Sequence, residues 1–208
     1  MIINKPNKYE EVQVNQDFER LQLGGHKGII KSVQEYTSTI SGKTSLKVEV
    51  DTDKDDKQPN YYQEQYDNNT NADKKWSSAG TKYVPLGEEE NQIKMLKSFI
   101  TAVENSNNGF EYDWNKDADQ LKGKKVGLAV GLEEYQDQEG KTKTATKVVQ
   151  FRSLDKIDEI KIPKVKLLDG TTIDYEEYSE MSKARNNDST DPFAGFEDAV
   201  EISDDILD

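Results

Sequence analysis

EEENQIKMLKSFITAVENSNNG, residues 88 to 109, is the stretch on which the fold turns. Three acids open it, where the positive end of a helix dipole favours negative charge. Ile93, Leu96, Phe99, Ile100 and Val103 then recur at helical spacing, and Gly109 lies past the end as a terminator. One amphipathic helix is expected here, and the fold follows from what flanks it.

Upstream, GGHKGIIKSVQEYTS, 24 to 38, reads as a strand. Strict alternation puts Gly28, Ile30, Ser32, Gln34 and Tyr36 on one face and Ile29, Lys31 and Val33 on the other, and its glycines permit a bend or close packing. SGK, 41 to 43, is a turn. SLKVEVD, 45 to 51, alternates Leu46, Val48 and Val50 with Lys47, Glu49 and Asp51, the pattern of a half-buried strand. DTDKDDKQPN, 51 to 60, reads as a solvated charged loop, YYQEQY, 61 to 66, as a short aromatic strand, and NNTNADKK as loop again. Downstream, KKVGLAVGLEEY, 124 to 135, and TATKVVQFRSL, 144 to 154, joined by QDQEGK, read as a hairpin.

Three strands, a helix and two strands is the order of the OB-fold, a five-stranded Greek-key barrel with a helix between strands 3 and 4; other small α+β sheets share it. The expected organisation is an N-terminal segment, 1–23, an OB-fold domain, 24–168, and a flexible acidic C-terminal tail, 169–208. Trp114, after the helix, is expected to pack the barrel end, and Phe151 to be either core or platform.

The formal charge of -13 is unevenly placed: residues 1 to 168 carry a net -2, and the last forty carry -11. Global acidity therefore leaves room for a local basic face on the body. With no cysteine, disulfides, thiolate metal sites and thiol nucleophiles are excluded. MIINKPNKYE has no long apolar run, so neither a signal peptide nor a membrane span is expected, and a cytosolic location is the default.

Motifs for chemistry fail one by one. SGKT, 41 to 44, has Thr37 where a P-loop needs its first glycine, and LKGKK, 121 to 125, has Ala118 there. Asp51, Asp53 and Asp55 have calcium-loop spacing, but Asp56 stands at the glycine position and Tyr62 at the glutamate position. The lone His26 has no second ligand and reads as a surface or packing residue. Glu133 and Glu134 point to opposite faces of a strand and cannot act as a pair. No enzyme activity, metal or other cofactor is expected.

Aromatic and basic residues do interleave: Tyr36, Lys43 and Lys47; Tyr61, Tyr62 and Tyr66; Lys74, Lys75, Trp76, Lys82 and Tyr83. Single-stranded DNA needs both kinds, because bases stack on aromatic faces while cations neutralise phosphates. Lys141, Lys143 and Lys147 flank the loop between the last two strands, a usual contact loop of OB-folds.

Trp76 with SSAGTKY, then FITAVENSNNGFEYDW, LKGKKVGLAVGLEEYQDQEGKTKTATKVVQFRSLDKI and IPKVKLL, resembles the small replication-module proteins of phages and prophages of Gram-positive bacteria that are read as single-stranded-DNA-binding proteins. The resemblance spans roughly residues 24 to 168. It implies an OB-fold and non-enzymatic binding and protection of single strands during phage replication or recombination. It also implies a disordered acidic tail with an apolar tip that recruits replication or recombination proteins. SDDILD, 203 to 208, looks like that tip, with Asp204 and Asp205 before Ile206 and Leu207. It departs from the usual tip in lacking a terminal Pro and Phe; a DPF stands earlier, at Asp191 to Phe193. The expected partners are thus single-stranded DNA and proteins met through the tail, with no membrane; a homo-oligomer is compatible with the sequence. The rival reading is an acidic DNA mimic or adaptor that inhibits a host nuclease or defence enzyme, motivated by the net charge. Against it, the body is nearly neutral.

Overall fold

The computed structural model describes residues 19–187 together with Lys5 and Tyr9. Seven strands form one sheet: β1 (Gly24–Thr37), β2 (Thr44–Thr52), β3 (Thr81–Pro85), β4 (Lys125–Gln136), β5 (Thr142–Arg152), β6 (Val165–Lys166) and β7 (Thr172–Ile173). Among the described residues three α-helices accompany them: α1 (Tyr61–Asn68), α2 (Glu90–Ser106) and α3 (Tyr175–Asn187). The ladder runs β3-β2-β1-β4, with β5 also on β4. β6 continues beside β4 beyond the end of β1, in parallel at Glu133 and Lys166, and β7 pairs antiparallel with β6.

This is a mixed α+β fold with an open sheet. The expected closed barrel is not completed by backbone pairing: β3 and β5, the two ends of the five-strand ladder, approach within 8 Å at Cα, yet no registered pair joins them among the described residues. β3 is only five residues long, and the 3-10 turn Ser78–Gly80 leads directly into it beside β5, so little strand edge is left to pair.

The core follows the periodicities. Leu46, Val48 and Val50 of β2 and Val126, Leu128 and Val130 of β4 alternate inward, and Phe99, Ile100 and Val103 of α2 seat against them. Phe151 is core, its ring 4.7 Å from that of Phe99. Leu21, from the segment expected to precede the domain, is buried in the same core.

Several expectations are corrected. Alternation in β1 breaks at Lys31, where a register shift between Ile30 and Ser32 lets both Ile30 and Val33 face the core. YYQEQY is helix α1 rather than a strand, and the third strand is TKYVP, 81 to 85. Tyr62 and Tyr66 stand four apart, a spacing that one helix face satisfies, and the backbone N–H of Tyr62 donates to the Asp51 carboxylate at 2.8 Å. The segment counted with the acidic tail begins with ordered structure, β7 and then α3, in which Tyr178 is buried. Trp114 does not pack the sheet end: it is 68% exposed, edge-on to Tyr112.

Two glycines decide how the chain after β5 lies on the sheet. A Cβ on Gly25 would meet the carbonyl oxygen of Ile157 at 2.1 Å, and one on Gly127 would meet the Arg152 carbonyl oxygen at 2.8 Å. Only bare backbone lets the 3-10 turn Leu154–Glu159 settle on the outer side of β1 and β4.

Candidate nucleic-acid interface

The acidic loop after β2, expected to be solvated, is the anchor of the site. Asp51 and Asp53 are buried, and His26 is fully so. His26 sits between the Asp56 carboxylate, 2.8 Å from Nδ1, and the Gln22 carbonyl, 2.9 Å from Nε2. Asp56 also accepts from the backbone N–H groups of Lys27 and Gln58. Burial would raise the Asp56 carboxyl, but the hydrogen bond from His26 and these amides together hold it below the usual carboxylate range. Lys125 Nζ closes the loop on Asp53 at 3.2 Å and on Asp55 at 3.5 Å.

Asp51 sets the start of α1. Its Oδ1 accepts from the Thr52 and Tyr62 amides, while Oδ2 is buried without a hydrogen-bond partner. Burial is the largest influence and raises its pKa, against these hydrogen bonds and the charge of Lys31. Asp51→Ala should therefore cost about 1–2 kcal/mol, the upper range for a lost N-terminal cap, and loosen α1. Urea titration of the variant checks the loss, and amide exchange at residues 61–68 checks its location.

Cross-strand partners share a face of the sheet, so the register gives the outer surface of β1, β2 and β3 row by row. Tyr36 lies opposite Ser45 and Pro85 beyond it; Gln34 opposite Lys47 and then Tyr83; Ser32 opposite Glu49 and then Thr81. Tyr36 and Tyr83, 39% and 37% exposed, touch with ring centroids 5.2 Å apart. Lys47 lies in the same row as Tyr83, paired with Glu49 at 3.0 Å. Further along, Lys31 stands 5.9 Å from the Trp76 ring, Tyr66 lies 5.8 Å from Trp76, and Lys74 sits 4.5 Å above Tyr66. Two aromatic groups, each with cations beside it, thus lie on the outer side of β1 and β2, separated by about 17 Å of strand at 3.4 Å per residue.

The residues singled out from sequence separate on this frame. Tyr36, Lys47, Tyr66, Lys74 and Trp76 are brought to it, and Lys43 stands exposed in the β1–β2 turn. Trp76 is half-buried on the core and donates from Nε1 to the Val50 carbonyl at 3.2 Å, so only part of its ring is presented. Lys75 is exposed in the loop before it. Tyr62 is core at 1% exposure, its ring against Gly80 and its hydroxyl on the Ala79 carbonyl, so as a base-stacking candidate it is removed. Tyr61 is half-buried edge-on to Tyr62 and partly packed on the core.

The lysines of the last hairpin are held by local acids. Lys141 pairs with Glu139 at 3.0 Å, Lys143 with Asp137 at 3.4 Å, and Lys147 with Glu133 at 3.2 Å. Lys166 of β6 also binds Glu133. Lys82 of β3 stands at the open seam near them. Its side chain has no hydrogen bond or ion pair among the described residues, and burial first and Lys147 second push its pKa down. Lys82, Lys147 and Lys166 around a single carboxylate leave an excess of positive charge at the seam. Burial opposes ionisation of Glu133, but Lys166 and Lys147 hold its pKa low.

Lys31, Lys166 and Glu133 were not reached from sequence as parts of a binding surface. The bulge that turns Lys31 outward has no signature in the residues themselves, and β6 is two residues long. Asp204, Asp205, Ile206 and Leu207 lie outside the described residues.

Among the described residues no three His, Asp or Glu side chains are grouped to hold a metal ion, and no helix is long and apolar enough to cross a membrane. No protein-family model matches the chain, and no curated protein matches it.

Proposed function

We propose that the protein is a non-enzymatic single-stranded-DNA-binding protein of the phage or prophage replication and recombination kind, with an OB-type body. The strand order β3-β2-β1-β4-β5, with β3 and β5 left near each other, supports an OB-type body, in which those two strands would meet to close the barrel. The observation that carries the functional reading is the exposed Tyr36–Tyr83 pair beside Lys47 on the outer face. Each ring keeps more than a third of its surface in solvent, and a base stacked on an aromatic ring gains about 1–3 kcal/mol. The acidic C-terminal segment recruits replication or recombination proteins. No chemical step is assigned to the protein itself.

Fluorescence anisotropy with labelled oligo-dT, and with duplex DNA as competitor, tests the reading. Single strands should bind, duplex should compete weakly, and log affinity should fall with log salt by about 0.7 per phosphate neutralised. Binding to neither nucleic acid, with capture of a nuclease instead, would favour the acidic mimic.

The Lys47–Glu49 pair predicts a gain of function. Glu49→Gln frees Lys47 for phosphate, so affinity at low salt should rise several-fold and the salt slope steepen by up to about 0.7. Lys47→Ala should do the reverse. Equal affinity for both variants and the parent would remove this row from the interface.

A further inference from the structure

The outer side of β4 and β5 carries a second basic feature, away from the aromatic face. Gly131 pairs with Lys147 and Gly127 with Arg152; residues 127 and 131 have the same parity on β4, so Lys147 and Arg152 lie on one side of the hairpin. They are separated by about 14 Å, four residues of β4 at 3.4 Å each. Arg152 opens into a depression of about 370 Å³ formed with the chain that crosses the sheet after β5. Lys156 and Lys161 line it as well, over a floor of Ala129, Ile160 and Pro163, with Glu159 as its acid. Arg152, Lys156 and Lys161 are exposed, and none of their side chains has an ion pair or hydrogen bond among the described residues. The contrast is with the rest of the same hairpin, where Lys141 and Lys143 near the tip and Lys147 midway along β5 all have acid partners.

We infer that this depression is a second backbone-binding site for the same single strand, reached over the open β3–β5 seam. The inference rests on the reading given under Proposed function. Tyr83 is the neighbour of Lys82 on β3, and Lys82 is the electrostatic neighbour of Lys147 across the seam. A strand that leaves Tyr83 across the seam meets Lys147 on the outer side of β5, with Lys82 reaching the same cluster from the other face of β3, and then follows β5 to Arg152. No aromatic ring lines the depression, so the site holds phosphates and not bases, and its contribution is insensitive to sequence.

The test compares two lengths of labelled oligo-dT on the full chain. One is about 8 nucleotides, inside the span of a single OB-type groove of about 4 to 16, and the other is about 30. The variant carries Arg152→Glu and Lys156→Glu, both exposed positions, with an unchanged melting temperature as the check on folding. Affinity for the short strand should stay within about twofold, that for the long strand should fall tenfold or more, and the long-strand salt slope should shrink by about 1.4, or 0.7 for each lost contact. Equal losses for both lengths, or no loss for either, overturn the path while leaving the aromatic interface standing. A synthetic peptide of residues 188–208 that binds the parent but not the variant, with long-strand affinity unaffected by the variant, assigns the depression to an acidic peptide and overturns the proposal. If the parent binds neither strand, the reading of the aromatic face fails, and the path fails with it.

Discussion

His26→Ala should lower the stability of the fold by about 3–5 kcal/mol, the cost of leaving the buried Asp56 carboxylate without its side-chain partner. His26 is fully buried and the Asp56 side chain is 4% exposed, so water does not replace the lost donor. At about 2–4 °C per kcal/mol for a chain of this size, the melting temperature should fall by roughly 6–20 °C. The pair joins β1 to the loop that leads into α1, so α1 and the Tyr66–Trp76 contact should loosen first, visible as early loss of Trp fluorescence from a Trp114→Phe background.

The same pair gives a pH signature whose sign follows from Asp56. Its carboxyl is held below the free value of 3.8, so the folded state binds that proton more weakly than the unfolded chain. The stability this contributes is present above the unfolded pKa and is lost as pH falls through the folded one. The parent should therefore lose melting temperature steeply on acidification below about pH 4, and His26→Ala should show a shallower acid limb. A variant that melts within about 2 °C of the parent, with the same acid limb, would show that the buried pair contributes nothing.

Replacing Tyr36 and Tyr83 by Ala should produce the largest loss of DNA binding. Each stacking ring is expected to contribute about 1–3 kcal/mol, or about five- to 150-fold in affinity. The rings touch, so the double variant should lose less than the sum of the singles. Both are exposed at more than a third, so the melting temperature should hardly move. Tyr62→Ala supplies the contrast: it empties a core site and should cost about 3–5 kcal/mol of stability, as for other large buried rings. If Tyr36→Ala with Tyr83→Ala binds oligo-dT as the parent does, the outer face is not the interface and the proposed function loses its main support.

How far the residues spoke for themselves differs by element. The helix at 90–106 and the β4–β5 hairpin were legible because their apolar residues repeat at 3.6 and at 2 over a dozen positions, and the turns between them carry glycine where φ is positive, as at Gly109 and Gly140. YYQEQY was misread because six residues with three aromatics satisfy either period. The tie was broken by Asp51, ten residues upstream, whose carboxylate holds the Tyr62 amide. The two tryptophans part for the same reason: Trp76 is half-buried with its indole N–H held by Val50 and only part of its ring presented, while Trp114, expected to pack, stands out in solvent.

By itself, then, the sequence determined where the helix and the long strands lie, which residues of β2 and β4 face inward, and that cations and rings are interleaved; these depend on neighbours a few positions apart. The tertiary structure alone decided the rest. It turned an apparently wet acidic loop into the buried anchor of His26, placed Lys31 outward through a bulge, set Tyr36 against Tyr83 across three strands, and gathered Lys82, Lys147 and Lys166 at the seam. Each of those depends on a pairing between residues far apart in the chain. Its free energy comes from desolvation and contact geometry, and no local pattern of residue types encodes either.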